Sequence, residues 1–297
     1  MHDPSTPDKP VISPALIALY DTYTHAPLPR RVFMKRLTAV TGSTAAAAAV
    51  LPLLENNYAQ AAVVPAADPR LSVQRTQFVV NDLPVAGYLA QPADAPGKRP
   101  GVIVIHENRG LNPHIEDITR RLALAGFLAF APDYLSVAGG TPADEDKARE
   151  QIAKLGQEQV RAISLGALAF LQAHAASNGK CACVGFCWGG GVANQLAVGA
   201  PTLAAAVVFY GMQPAVADVG KIQAAVQLHY AEFDDRINAG ADAYEAALKA
   251  AGKRYALYRY PGVNHAFNND TNAARYNAEA AALAWERTLA FLKEALA

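Results

Sequence analysis

Residues 185–190 read Gly185-Phe186-Cys187-Trp188-Gly189-Gly190, between an apolar strand at Cys181 to Val184 and a helical stretch from Trp188 to Val198. A strand that turns this sharply into a helix strains the backbone at the bend, and Gly185 and Gly189 have no Cβ to collide with the packing around it. The Cys187 side chain is thereby lifted clear of the sheet, beside the first free amides of the helix, whose dipole favours a thiolate and later a developing oxyanion. Free cysteine is more commonly a buried apolar residue, and that reading fits Cys181 and Cys183, which share one strand face at i and i+2. No His or Cys cluster near them has metal-ligand spacing, so a zinc or disulfide-exchange site is not expected.

Outward from this bend the chain alternates between short apolar runs and helical periods. Phe78-Val79-Val80 and Val85 to Ala90, separated by Asn81-Asp82-Leu83-Pro84, predict an antiparallel hairpin. Gly101 to Ile105 is a continuous apolar run of the kind buried on both faces of a parallel sheet. Ile115, Ile118, Leu122 and Ala125 fall at helical spacing, and Phe127 to Ala131 forms the next strand. Further on we expect a helical stretch from Asp144 to His174 divided near Gly156, strands at Ala204 to Tyr210, Ala225 to Tyr230 and Arg254 to Tyr260, and helices over 239–251 and 273–296. Parallel neighbours need crossover connections, so the pattern predicts an α/β fold: a mainly parallel sheet with helices on both faces. In such sheets the chemistry gathers at the carboxyl ends of the strands.

A nucleophile elbow needs a base and an orienting acid further along the chain. Asp234 lies in Ala231-Glu232-Phe233-Asp234-Asp235-Arg236-Ile237 after one strand, and His265 in Gly262-Val263-Asn264-His265-Ala266-Phe267 after the next. Cys187, Asp234, His265 is the nucleophile, acid, histidine order of the α/β-hydrolases. In that arrangement His265 takes the thiol proton, and Asp234 holds its tautomer and steadies the imidazolium. Asp235 is the competing acid, and the aliphatic Ile237 three residues on favours Asp234. Upstream, His106-Glu107-Asn108-Arg109-Gly110-Leu111-Asn112 follows a strand at the oxyanion-loop position, so the backbone amides of Asn108 and Trp188 are the expected oxyanion donors.

These blocks together resemble the dienelactone hydrolase family, or carboxymethylenebutenolidases, α/β-hydrolases with Cys in place of Ser. The likeness runs from about Phe78 to the end, on Val104-Ile105-His106-Glu107-Asn108-Arg109-Gly110-Leu111, Ala131-Pro132-Asp133, residues 185–190, Phe209-Tyr210-Gly211 and His265-Ala266-Phe267. It implies a single catalytic α/β-hydrolase domain over 62–297, a triad of Cys187, Asp234 and His265, and a glutamate, Glu107, that assists thiolate formation as substrate arrives. Attack on a small ester or lactone then gives an acyl-cysteine, with no cofactor and no metal required. Where the family's founding enzymes hold the substrate carboxylate with an Arg four residues past the histidine, this chain has Asn269, which cannot make a bidentate ionic pair. Arg109, Arg149 or Arg161 could compensate, and Tyr134 and Trp188 are candidates for the pocket wall.

The 297 residues carry 26 Lys+Arg against 26 Asp+Glu, which supplies no general attraction for phosphate backbones, so nucleic acid is not an expected partner. With 52% hydrophobic residues the chain is too apolar for disorder. Its N-terminal part reads as an address: Arg30-Arg31-Val32-Phe33-Met34-Lys35, a mild apolar run from Leu37 to Leu54, then Ala59-Gln60-Ala61. This resembles a twin-arginine signal within an extension over 1–61, with export to the periplasm or beyond and cleavage after Ala61. A spanning helix wants about 20 strongly apolar residues, so no integral membrane span is expected. The competing reading is a cytoplasmic protein that keeps the extension as a packed Ala-rich helix. A competing function is a thiol redox or peroxide-sensing protein, because an activated cysteine is also oxidisable.

Overall fold

The computed structural model describes residues 12–26, 28–59, 62–94 and 96–297. Three helices come first, α1 (Pro14–His25), α2 (Arg30–Thr41) and α3 (Thr44–Leu54). The sheet domain then runs β1 (Leu71–Val80), β2 (Leu83–Pro92), β3 (Arg99–Ile105), α4 (Pro113–Leu124), β4 (Leu128–Pro132), α5 (Glu145–Ile152), α6 (Gln157–Ala173) and β5 (Ser177–Phe186). It continues with α7 (Trp188–Gly199), β6 (Ala205–Phe209), β7 (Ala225–Phe233), α8 (Asp235–Asn238), α9 (Ala241–Ala250), β8 (Tyr255–Asn264) and α10 (Ala278–Leu296).

The eight strands form one sheet in the order β1-β2-β4-β3-β5-β6-β7-β8. β1 and β2 pair antiparallel, β2 meets β4 antiparallel, and every pair from β4 onward is parallel. The hairpin closes on two residues, Asn81 and Asp82, both with positive φ, as a tight two-residue turn requires. Leu83 and Pro84, expected in the break, belong to β2.

Alternate residues of the buried strands feed opposite faces. Val102, Val104, Ala182 and Val184 pack with α4 and α10, through Ile115, Ile118, Phe291 and Leu292. Ile103, Ile105, Cys181 and Cys183 pack with α6, α7 and α9, through Leu168, Leu196 and Leu248. A period of two in a sheet covered on both sides accounts for the continuous apolar runs. Gly156 divides the long helical stretch as expected, by capping α6. The last helix begins later than expected, at Ala278, because Asn277 caps it by accepting from the Ala280 amide at 3.0 Å. The segment before it is turn structure that carries Asn269, Asn272 and Arg275.

The N-terminal segment up to Leu54 is helical over most of its described length. Its three helices share a small core of Tyr20, Tyr23, Phe33, Leu37, Ala47 and Leu54, against which Ala274 of the sheet domain also packs. Arg30, first of the arginine pair, bridges Glu55 at 3.1 Å and Asp146 at 2.9 Å. Among the described residues no single helix is long and apolar enough to cross a membrane, although α2 and α3, bent by 111°, pass together on length and composition. Gln60 and Ala61 of the expected cleavage motif lie outside the described residues.

Candidate active site

Cys187 caps α7 at the carboxyl end of β5, with φ 55° and ψ −115°. A bulky residue tolerates this region only when its surroundings over-determine it, at a cost of about 1–3 kcal/mol. The surroundings do so here. The Cys187 amide donates to the Phe209 carbonyl at 3.0 Å, and its carbonyl accepts from Gly190 at 3.0 Å and Gly191 at 3.2 Å. A Cβ on Gly185 would lie 2.1 Å from the Gly189 carbonyl oxygen, and one on Gly189 would lie 2.4 Å from those of Ile105 and His106. The two glycines therefore let strand, bend and neighbouring strand end close on one another.

The other candidate groups stand at the carboxyl ends of neighbouring strands: Glu107 after β3, Asp234 after β7 and His265 after β8. Asp234 caps α8 by accepting from the Ile237 amide, and its second oxygen lies 2.5 Å from His265 Nδ1. Asp234, not Asp235, is thus the acid on the histidine. With Nδ1–H donated to the carboxylate, Nε2 is the free face of the ring, and it is buried without a hydrogen-bond partner. The Tyr210 ring, 4.9 Å away between centroids, packs beside it.

Cys187 is only 7% exposed, less open than a thiol standing proud of the bend. What covers it is α1. His25 Nε2 lies 3.2 Å from Cys187 Sγ, and the His25 ring meets the His265 ring edge-on at 4.6 Å. One ring nitrogen of each histidine and the sulfur lie within 4.8 Å of one another. That is compact enough to hold a soft cation, but the sulfur already has a hydrogen-bonded imidazole and a second positive ring facing it, the charge balance of an acid–base cluster. Burial opposes ionisation of the thiol, yet the His25 and His265 cations outweigh it and bring the Cys187 pKa down to about 6. Burial likewise disfavours charge on His265, but the Asp234 carboxylate and the Cys187 thiolate raise it to about 10. His25 is raised too, against its own burial, by the thiolate and Asp21. Cys181, by contrast, is pushed up to about 11 by burial, and Cys183 higher still, as inert core thiols are.

Glu107 is buried and accepts from Asn269 Nδ2 at 2.8 Å through Oε2, while Oε1 has no hydrogen-bond partner. Asn269 in turn accepts from Thr271 through its own oxygen. Asn269, a substrate-binding candidate by its place four residues past His265, is thus a clamp on Glu107. The Asn108 side chain donates to the Thr24 carbonyl at 2.8 Å, and Trp188 opens α7. Arg109 is also placed differently from the expectation of a substrate anchor. It is buried, donates to the Glu145 carbonyl at 3.1 Å and Tyr20 Oη at 3.4 Å, and pairs with Glu145 and Asp146. Tyr134 is core rather than pocket wall: it is fully buried, and its hydroxyl hydrogen-bonds Ser164 at 2.8 Å. His25, Asp21 and Thr24 were missed, since they fall in the stretch read as preceding a leader.

A cavity of about 1010 Å³ opens beside the sulfur. Thr24, His25 and Leu28 form one wall, Trp188 and Met212 others, and Arg149 and Arg161 stand at its lining. A narrow crevice that also reaches Cys187 is lined by Glu107, His265, Ala266 and Arg275.

Residues 85–296 match the sequence profile described as the Dienelactone hydrolase family. A Synechocystis protein named "Putative carboxymethylenebutenolidase" is 33% identical over 224 residues, covering 69% of this chain and 90% of its own. The crystal structure of a "Putative Dienelactone Hydrolase" from Klebsiella pneumoniae superposes with a TM-score of 0.70 at 29% identity, covering 75% of this chain and 99% of that one. A dienelactone hydrolase-like promiscuous phosphotriesterase from metagenomic libraries gives 0.68 at 25% identity, over 77% of this chain and 100% of its own. Sheet order, strained cysteine elbow and sequence likeness point one way: this chain is a hydrolase that belongs to the dienelactone hydrolase family.

Proposed function

We propose that the protein hydrolyses a small ester or lactone through an acyl-cysteine on Cys187. The observation that carries this reading is a thiol of lowered pKa, held at a strained elbow on the wall of a cavity, facing a histidine whose far nitrogen is 2.5 Å from a buried carboxylate. The thiolate adds to the substrate carbonyl, and charge on the oxygen is met by the backbone amides of Trp188 and Asn108. The C–O bond to the leaving group breaks and that alkoxide takes a proton from His265, which Asp234 keeps protonated near neutrality. Neutral His265 then removes a proton from water, hydroxide adds to the thioester carbonyl, and the carboxylic acid leaves as the thiolate is restored. Glu107, clamped by Asn269 and with one oxygen unpartnered, is assigned to proton management at the thiol as substrate enters.

The cavity walls contributed by Leu28, Ile152, Val160, Leu165, Trp188 and Met212 favour a substrate whose acyl part is largely apolar. A redox role for the same thiol lacks a resolving partner, since Cys181 and Cys183 are both buried in the sheet core. The test is turnover of short activated esters and lactones by the wild type and by Cys187→Ala, with mass spectrometry of the acylated protein. Wild-type turnover by Cys187→Ala would end the proposal, as would an acyl group found elsewhere on the chain.

A further inference from the structure

We propose that the N-terminal arm is a built part of this active centre, with His25, oriented by Asp21, the immediate proton partner of the Cys187 thiol, so that His265 is left to serve the leaving group and the hydrolytic water. The inference rests on the acyl-cysteine reading above and adds a second histidine–aspartate pair to it.

The sulfur lies 3.2 Å from His25 Nε2 in good hydrogen-bond geometry, while a His265 ring nitrogen faces it within 4.8 Å but, among the described residues, without that geometry. On its far side His25 Nδ1 faces the Asp21 carbonyl at 2.9 Å, Asp21 Oδ1 at 3.1 Å and Thr24 Oγ1 at 3.1 Å. The Asp21 carbonyl accepts from Nδ1 and the Asp21 carboxylate charge lies beside it, which fixes Nδ1 as the protonated nitrogen and leaves Nε2 to take the thiol proton. Each histidine therefore repeats the same logic, with one nitrogen committed to an aspartate and the other turned toward the reaction. The two differ in reach, because His25 makes the closer hydrogen bond to the sulfur and His265 acts on it from further off.

The docking of the arm engages the catalytic loops themselves. Asn108, on the oxyanion loop, holds the Thr24 carbonyl at 2.8 Å, and Arg149 donates to the Tyr23 carbonyl at 2.5 Å. Arg275, from the turn after His265, approaches Asp21 Oδ1 at 3.7 Å and lies 5.3 Å over the Tyr20 ring. Asn272 holds the Leu54 carbonyl at 2.5 Å, and Tyr58 bonds Glu145. Nor does the arm plug the site: with it in place the cavity of about 1010 Å³ remains, Cys187 lines it, and the arm supplies a wall.

The proton inventory closes. In the resting centre the S–H proton sits on His25 Nε2, giving a thiolate–imidazolium pair. Acylation forms the C–S bond and breaks the C–O bond, and the leaving oxygen takes its proton from His265. Deacylation takes a proton from water to His265, and the departing thiolate is met again by protonated His25. No oxidant or added co-reactant is required.

The test uses the full chain and the rate of alkylation of Cys187 by iodoacetamide as a function of pH, because that rate follows the thiolate fraction. The groups that surround the sulfur are His25 and Asp21 on α1, Glu107 after β3, Tyr210 after β6, Asp234 after β7, and His265 and Arg275 after β8. Loss of an opposite charge at this range moves a pKa by about 1–3 units. We expect His25→Gln to raise the midpoint of alkylation by that much, and to slow single-turnover acylation at pH 7 by about 10–100-fold. Asp21→Asn, which leaves the ring in place, shifts both in the same direction by less and serves if His25→Gln does not fold. His265→Gln instead accumulates acyl-enzyme from a p-nitrophenyl ester, whose leaving group needs no proton. Unchanged alkylation and acylation in folded His25→Gln and Asp21→Asn would overturn the proposal, and faster turnover in either would show the arm to be a plug. Active protein recovered from its native source should retain His25 by intact mass, and an equally active form lacking residues 1–61 would likewise refute it. All of these outcomes are distinct from failure of the acyl-cysteine reading, which shows as turnover by Cys187→Ala.

Discussion

Asn269 Nδ2 donates to Glu107 Oε2 at 2.8 Å, joining the turn after His265 to the oxyanion loop. A buried carboxylate with one oxygen held and the other unpartnered is fixed in place but not quenched. Glu107→Gln is isosteric and should lower single-turnover acylation more than it lowers the melting temperature. Asn269→Ala should lower acylation as well, by freeing Glu107, and should also cost about 1–3 kcal/mol for the unpaired buried group. Acylation rates of both variants beside their thermal melts check the pair, and unchanged acylation by folded Glu107→Gln contradicts the assignment.

Asp234 fixes the tautomer of His265 from 2.5 Å, so Asp234→Asn should reduce kcat by about 100- to 10,000-fold while substrate binding changes little. Asp235→Asn, at the exposed first position of α8, should leave kcat within about twofold. Steady-state kinetics of the two variants discriminate the neighbouring carboxylates directly.

The pH dependence follows from the direction of the two shifts. The thiol, lowered to about 6, is reactive above that value, and His265, raised to about 10, can donate its proton only below it. For an unactivated methyl ester, kcat/KM should rise near pH 6 and fall near pH 10, both limbs belonging to the cluster as a whole. A p-nitrophenyl ester, whose leaving group needs no proton, should keep the first limb and lose the second. Profiles with the two esters are the measurement, and a shared alkaline limb would count against His265 as the donor.

Gly189→Ala should destabilise the fold by about 2–3 kcal/mol, because its Cβ would meet backbone oxygens 2.4 Å away that belong to a central strand end and cannot swing aside. Gly156→Ala, with nothing within 4 Å of its Cβ, should be nearly neutral. Denaturant melts of the two variants test whether the close approach at the elbow, rather than glycine content, is what matters.

Much of the fold was legible because its signals are local. Runs such as Gly101 to Ile105 carry their burial in a few consecutive residues, and the order Cys187, Asp234, His265 survives in the linear chain. Arg109 and Tyr134 were placed nearer the substrate than they are, because a loop arginine and a strand-end tyrosine look alike in sequence whether they face a ligand or a neighbouring helix. Only Glu145, Tyr20 and Ser164, contributed from elsewhere, decide the matter. His25 was least legible. It precedes the arginines at 30 and 31 and the Ala-rich run that carry the signal reading, and the apolar set Tyr20, Tyr23, Phe33 and Leu37 shows its packing only in three dimensions. The available clue was Asp21 and His25 at i, i+4, an acid one helical turn before an imidazole.

The acidity of the nucleophile is assembled from parts far apart in the sequence, since residues 25 and 265 flank residue 187 at long range on either side. A chain in which these three residues have not yet come together should therefore carry a cysteine of ordinary reactivity. Electrophile sensitivity thus becomes a readout of completed folding, available to any thiol-labelling assay that follows refolding over time.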